Sequence, residues 1–141
     1  MILLDTNVVS EPMRPEPSGH VLAWLDAQAA ESLYLSTISL TELLFGVESL
    51  PAGKRRKALT VSLQPQIIGL FGDRILAFDL AAATTYAQIV TRARRHGYPI
   101  SVSDGQIAAI ASSHGFTVAT RAEAPFHAAG VPVVNPWKLL S

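Results

Sequence analysis

Short apolar runs alternate with longer segments of helical periodicity along the chain. The short runs lie at residues 2–4, 33–35, 75–78, 116–120 and 131–134, and their lengths are typical of strands buried on both faces. Between them, apolar residues recur every three or four positions, as in Val21, Trp24 and Leu25, which predicts amphipathic helices. The alternation predicts an α/β fold around a mostly parallel sheet of about five strands.

Two of the predicted helices begin with a serine that is followed three residues later by an acid. Ser39 precedes Glu42, and Ser101 precedes Asp104, which is the spacing of a capping box. Another helix, over residues 54–71, contains Pro65, which lacks an amide hydrogen and clashes with the preceding turn. We therefore expect a kink or a break there, and the pattern fits either one kinked helix or two helices.

The length of 141 residues predicts a single domain, residues 1–141. Apolar residues make up 49% of the chain and charged residues 16%, so we expect apolar surface near Trp24, Leu44 and Phe45 to contact a partner. No cysteine is present, which excludes disulfides and thiolate metal sites and agrees with the cytoplasmic location that we predict. The apolar runs are too short to span a bilayer, and residues 1–4 are interpreted as a strand rather than a signal peptide.

Three acids are predicted to lie where an open parallel sheet binds its ligands, at the carboxyl ends of the strands and the helix starts that follow. Asp5 ends the first strand, Glu42 starts the helix after the second strand, and Asp104 starts a helix late in the chain. Converging carboxylates repel each other unless a cation neutralises them or one acid takes a proton. Mg2+ suits this role because it binds carboxylate oxygens and stabilises the charge that develops during phosphodiester cleavage.

Helix capping is the competing explanation for two of these acids. Glu42 and Asp104 can each complete a capping box and interact favourably with the dipole of its own helix. Asp5 is harder to explain in this way, because a carboxylate at the end of a buried strand needs hydrogen bonds or a partner charge.

Basic residues form local patches in a chain whose 11 Lys and Arg balance its 11 Asp and Glu. With no net charge, contact with nucleic acid depends on such patches. One lies at residues 54–57 and another at Arg92, Arg94 and Arg95, and a solvated helix face is the alternative explanation for both. Arg121, beside the proposed pocket, is the better single candidate for a phosphate contact.

Several segments together resemble the PIN-domain ribonucleases, in particular the VapC-like toxins of the FitB type. They are LLDTNVVSEP, STISLTELLFGV, VSDGQIAAIA and the ending TVATR with VNPW, and the resemblance covers essentially all of the chain. It implies a three-layer α/β sandwich with an acidic pocket that binds Mg2+ or Mn2+ and cleaves RNA. It also implies a VapB-like antitoxin as partner, a homodimer, and contact with DNA only through the antitoxin.

Carried over residue by residue, the resemblance makes Asp5, Glu42 and Asp104 the catalytic and metal-binding acids. Thr6 and Asn7 match the polar pair that shapes the pocket, and Thr120 and Arg121 match the Thr-Arg pair beside it. The family usually has Asp or Asn at the place held here by Ala122, and often Asp at the place of Pro125. Glu123 is a poor substitute, since on a strand it would point to the opposite face.

Three functions follow as hypotheses. The first is a metal-dependent endoribonuclease that acts as a toxin and is held in check by an antitoxin. The second is a phosphatase with an aspartyl nucleophile, because LLDTN also resembles the dehalogenase-type phosphatases, although these need a second acid where Asn7 stands and a late lysine. The third is a binding module that kept the fold and lost the chemistry, as the residue at position 122 suggests.

Overall fold

The structure of the protein is a computed structural model that describes residues 1–138. Five strands and seven α-helices alternate within these residues. The strands are β1 (Ile2–Leu4), β2 (Leu33–Ser36), β3 (Ile75–Leu76), β4 (Thr117–Ala119) and β5 (Val133–Val134). The helices are α1 (Thr6–Ser10), α2 (Gly19–Ala27), α3 (Thr37–Glu48), α4 (Lys54–Phe71), α5 (Leu80–Arg95), α6 (Val102–His114) and α7 (Glu123–Ala128). Short 3-10 turns cover Glu11–Met13, Ala30–Ser32 and Gly72–Arg74.

All five strands are parallel and lie in the order β3-β2-β1-β4-β5. The chain moves outward from β1 to β3 on one side, then crosses to β4 and moves outward on the other side. The direction therefore reverses between β1 and β4, and the crevice outside the carboxyl ends of such neighbours is where open α/β sheets bind ligands. The parallel sheet predicted from the sequence is confirmed, and its topology directs attention to residues 5 and 120.

Helices cover both faces of the sheet, which confirms the three-layer sandwich. Leu3 and Val118 point into a core that they share with α5, α6 and α7. Leu4 and Leu35 point into a second core on the opposite face, packed with α2, α3 and α4. Because successive strand residues alternate between faces, β1 contributes to both cores, and this agrees with the unbroken apolar run at the start of the chain.

Two helix starts differ from those predicted. Helix α1 was not among the predicted helices, and it begins directly after β1, where the Asp5 side chain accepts a hydrogen bond from the Thr6 amide and caps it. Helix α3 begins at Thr37, capped by Ser36, whose hydroxyl accepts from the Ser39 amide at 3.0 Å. The assignment of Ser39 as the cap was therefore wrong. Ser101 does cap α6, with its hydroxyl accepting from the Asp104 amide at 3.2 Å.

Helix α4 is one continuous helix of 18 residues and passes through Pro65 without a break. Proline inside a helix costs about 3 kcal/mol. Leu63 before it, and Ile67 and Phe71 after it, are buried in the second core, so packing on both sides offsets this cost, while Pro65 faces solvent. None of the helices within residues 1–138 combines the length and the hydrophobicity that a membrane span requires.

Close packing of α6 against α5 fixes the start of α6. A Cβ atom at Gly105 would lie 2.8 Å from Tyr86 Cε2 and 2.9 Å from Val90 Cγ2, closer than side chains tolerate. Glycine therefore lets the first turn of α6, which carries Asp104, approach α5 directly.

Candidate functional site

Asp5 is a buried carboxylate at the end of β1, beside β4, where the direction of the chain across the sheet reverses. Its side chain is 5% exposed, and its backbone amide continues the pairing of β1 and β4 by donating to Ala119 O at 2.9 Å. Oδ1 accepts from the Thr6 amide at 2.8 Å, and Oδ2 accepts from the Thr120 hydroxyl at 2.8 Å. Asp5 therefore caps α1 and is also tied to β4.

Thr6 connects Asp5 to Glu42. The Thr6 hydroxyl donates to Glu42 Oε1 at 2.9 Å and lies 3.0 Å from the hydroxyl of Ser39. Ser39 is buried one helical turn before Glu42 on the same face of α3. Glu42 itself is exposed and lies in the second turn of α3, so it does not form a capping box with Ser39.

Asp104 lies in the first turn of α6 and is half-buried. Its carboxylate, like that of Glu42, acts on Asp5 through charge. The pKa of Asp5 is raised from 3.8 to about 6, first because burial disfavours the charged form, and further because Asp104 and Glu42 add negative charge nearby. The hydrogen bonds from Thr120 and Thr6 oppose this rise.

The three acids influence each other through charge but are not tightly grouped. Within residues 1–138, no three His, Cys, Asp or Glu side chains are grouped closely enough to bind a metal as they stand. Asp5 also has no ion pair with a Lys, Arg or His side chain in this part of the chain, so its charge has no cationic partner there. The assignment of Asp5, Glu42 and Asp104 as metal ligands remains a prediction.

Asn7, Thr120 and Arg121 form a network on the β4 side of Asp5. Asn7 Nδ2 lies 3.4 Å from both Asp5 Oδ2 and the Thr120 hydroxyl, and Asn7 Oδ1 accepts from the Arg121 amide at 3.3 Å. The Thr120 hydroxyl also accepts from the Ala122 amide at 3.0 Å. Residues 120–122 are therefore held against the acid, whereas the Arg121 guanidinium is exposed and lies over the Trp137 ring, 5.2 Å from its centroid.

Glu123 is not part of the acidic cluster. It begins α7 rather than extending a strand, so the predicted orientation rested on the wrong element. Its Oε2 accepts from Asn135 Nδ2 at 2.8 Å and pairs with Lys138 Nζ at 2.9 Å. These contacts, the Asn135 hydrogen bond foremost, lower the pKa of Glu123 to about 2. Glu123 thus holds the chain's C-terminal turn and leaves the place beside Ala122 without an acid.

Two residues of this region were missed at the sequence level. Ser39 was assigned to a cap, although its spacing of three from Glu42 also places it beside that acid on one helix face. Trp137 lies in the NPW segment, and no periodic pattern there indicates that its ring would lie beneath Arg121.

Similarity to known proteins extends over nearly the whole chain. The PIN domain family matches residues 2–130. Toxin FitB of Neisseria gonorrhoeae is 51% identical over 137 residues, which cover 97% of this chain and 99% of FitB. VapC ribonuclease Y4jK of Sinorhizobium fredii is 49% identical over 138 residues, which cover 98% and 99%. A solved structure of FitAB bound to an IR36 DNA fragment matches with a TM-score of 0.95 and 49% identity, over 100% of this chain and 99% of that one.

The raised pKa of Asp5 predicts how stability depends on pH in the absence of metal. Below pH 3.8 the carboxyl is protonated in both states, and between 3.8 and about 6 only the folded state keeps the proton. The contribution of Asp5 to the free energy of unfolding therefore falls across this window, by about 3 kcal/mol in total, and stays lower above it. Asp5→Asn removes this fall, so we expect the variant to be more stable than the parent at pH 7.5.

Urea unfolding in chelator at pH 4.5 and 7.5 measures this difference. Asp26→Asn, at an exposed acid of α2, is the control and should lose as much stability with pH as the parent. If Asp5→Asn loses as much stability between pH 4.5 and 7.5 as the parent does, Asp5 is not the source of the pH dependence.

Proposed function

The chain belongs to the PIN-domain family, and we propose that it is a metal-dependent endoribonuclease, the toxin of a toxin-antitoxin pair, which hydrolyses RNA phosphodiester bonds. The observation that carries the proposal is the buried Asp5 carboxylate at the carboxyl edge of the sheet, linked to Glu42 through Thr6. Burial, and the charges of Asp104 and Glu42, raise its pKa. A buried acid of this kind, without a cationic partner among residues 1–138, is typical of functional sites. The names of the relatives, a toxin and a VapC ribonuclease, support this reading.

Mg2+, or Mn2+ in its place, is the cofactor that we propose. The donor set fits a hard cation, because Asp5, Glu42 and Asp104 offer only oxygen and form no ion pair within residues 1–138. Glu42 is exposed, and its carboxylate is linked to Asp5 through the hydroxyl and the amide of Thr6. When bound, the ion supplies positive charge that stabilises the phosphate in the transition state.

The protein's own residues hold this site in place. Asp5 is oriented by the Thr6 amide and the Thr120 hydroxyl, so its carboxylate needs little reorganisation to bind a cation. Thr6 orients Glu42 in the same way. Arg121 lies at the rim, where its charge attracts a phosphate of single-stranded RNA.

An apolar groove beside the acids is the surface that we propose for the antitoxin. It has a volume of about 330 Å³ and runs between α1, α3 and α4, starting at Thr6 and Glu42. Leu43, Val47, Leu59 and Leu63 line its floor, while Arg14 and Arg55 lie at its sides. A partner with an apolar segment followed by an acidic or polar end would fit this pattern. Trp24, Leu44 and Phe45, near which the sequence predicted a partner contact, do not line this groove: Trp24 and Leu44 pack against the second core, and of the three only Phe45 is exposed. Any contact with DNA would run through the antitoxin.

Self-association is a further part of the proposal. Several large apolar side chains remain exposed on the helices, among them Phe45, Val61, Leu70, Leu80 and Val102. A homodimer would cover some of this surface. We place the protein in the cytoplasm, where its RNA substrate is found.

The two alternative functions differ in how well the structure supports them. For an aspartyl phosphatase, Asp5 would have to attack phosphate, yet both of its oxygens accept hydrogen bonds, and Lys138 pairs with Glu123 instead of approaching it. A binding module without catalysis has a better basis. Ala122 leaves the β4 side of the pocket without the carboxylate or amide usual in the family.

Gly46 provides a test of the partner groove, because it lines the groove and has open space where a side chain would begin. Gly46→Glu should prevent co-purification with the product of the neighbouring reading frame. Gly69→Glu is the matched control, since Gly69 lies in α4, is exposed and lies outside the groove.

Light scattering of the pure parent should give the mass of a dimer. Retention of the partner by Gly46→Glu, or a monomeric parent, would contradict the respective part of the proposal.

Cleavage of RNA tests the activity and the role of position 122 together. The parent, prepared without antitoxin, should cut a mixed RNA pool with Mg2+ or Mn2+ and not with chelator, and Asp5→Asn should be inactive. Ala122→Asp adds negative charge beside Thr120 and should lower the Mg2+ concentration for half-maximal rate about tenfold, equivalent to about 1.4 kcal/mol.

A control is needed because Ala122 is also the N-cap of α7, which has no side-chain cap at present. Ala122→Ser supplies a cap without charge, so it should stabilise α7 but leave the Mg2+ dependence unchanged. Equal gains from serine and aspartate would assign the effect to capping. If neither the parent nor Ala122→Asp binds metal or cuts RNA, the chain is a binding module.

A further inference from the structure

Arg121 is presented at the rim of the site by stacking on Trp137. Its guanidinium carbon lies 5.2 Å from the centroid of the Trp137 ring, and its backbone amide is tied to Asn7. Among residues 1–138, Arg121 has no ion pair. Its distance from the Trp137 ring is that of a cation–π contact, which leaves the N–H donors of the guanidinium for an anion.

Trp137 is in turn fixed by a chain of hydrogen bonds. Its amide donates to Asn135 Oδ1 at 2.9 Å, and Asn135 Nδ2 donates to Glu123 Oε2 at 2.8 Å. Asn135 is only 8% exposed, and Lys138 pairs with the same Glu123 oxygen at 2.9 Å. The Glu123 carboxylate therefore anchors the turn that carries Trp137, although it lies outside the acidic cluster.

We propose that Trp137 is a positioning residue that holds Arg121 against a phosphate of the RNA backbone beside the acidic site. The proposal rests on the proposed function, since it requires that the chain bind RNA. In this arrangement Arg121 touches the substrate, and Trp137 acts through Arg121 by restricting its guanidinium to one orientation. Because the long Arg121 side chain is already ordered before RNA binds, less conformational entropy is lost on binding and the affinity is higher. Glu123 supports the arrangement by anchoring the turn through Asn135.

A double-mutant cycle separates positioning from direct contact. The probe is a fluorescent random single-stranded RNA of 20 nucleotides, and affinity is measured in chelator so that no cleavage occurs. We expect Arg121→Ala to lower affinity about tenfold and to reduce the slope of log affinity against log salt by about 0.7, the loss of one phosphate contact. Trp137→Leu should lower affinity several-fold in the parent and have no effect in the Arg121→Ala background.

Trp137→Phe is the conservative variant, and it should keep most of the affinity because its ring still stacks under the guanidinium. Thermal unfolding of each variant reports whether the turn itself is lost. An equal loss from Trp137→Leu in both backgrounds, or an unchanged salt slope in Arg121→Ala, would overturn the inference. If the parent binds and cuts RNA but the cycle is additive, only this inference fails. If the parent does not bind RNA at all, the proposed function fails with it.

Discussion

Burial of the Asp5 carboxylate at the junction of β1 and β4 is the constraint on which the rest of the site depends. A charge removed from water is unfavourable unless it is paired, and here two hydrogen bonds from Thr6 and Thr120 compensate only in part. Glu42 and Asp104 make the remaining imbalance larger, as the raised pKa of Asp5 records. The charged form of Asp5 is therefore unfavourable at neutral pH. Binding of a proton or of a cation would remove this cost.

The fold creates this situation through the order of its strands. Because β1 lies at the centre of the sheet and the chain reverses direction beside it, the loops after β1 and β4 meet above the same edge. The helices that follow bring the other acids there from two sides, α3 through the contact of Glu42 with Thr6 and α6 through its close packing at Gly105. Stability of the two cores thus supports a cluster of like charges that would otherwise separate.

Much of this could be predicted from the sequence, because long periodic segments and apolar runs report burial directly. The parallel sheet and the cap at Ser101 are examples. Helix α1 was missed because its five residues are too few to show a period, and α4 continues through Pro65 because tertiary packing overrides local preference. The position of Glu123 on a helix and the stacking of Arg121 on Trp137 depend on contacts between distant segments, which one sequence does not encode in any local pattern.

The most direct test of the account is to locate a bound ion. Crystals of the chain grown with Mn2+ can be measured near the manganese absorption edge, where the ion alone gives a strong anomalous signal. We expect one peak about 2 Å from an oxygen of Asp5, with Glu42 and Asp104 turned toward it, and no such peak in Asp5→Asn. Absence of a peak beside Asp5 at saturating Mn2+, or the same peak in Asp5→Asn, would contradict the claim that this buried acid organises a cation site.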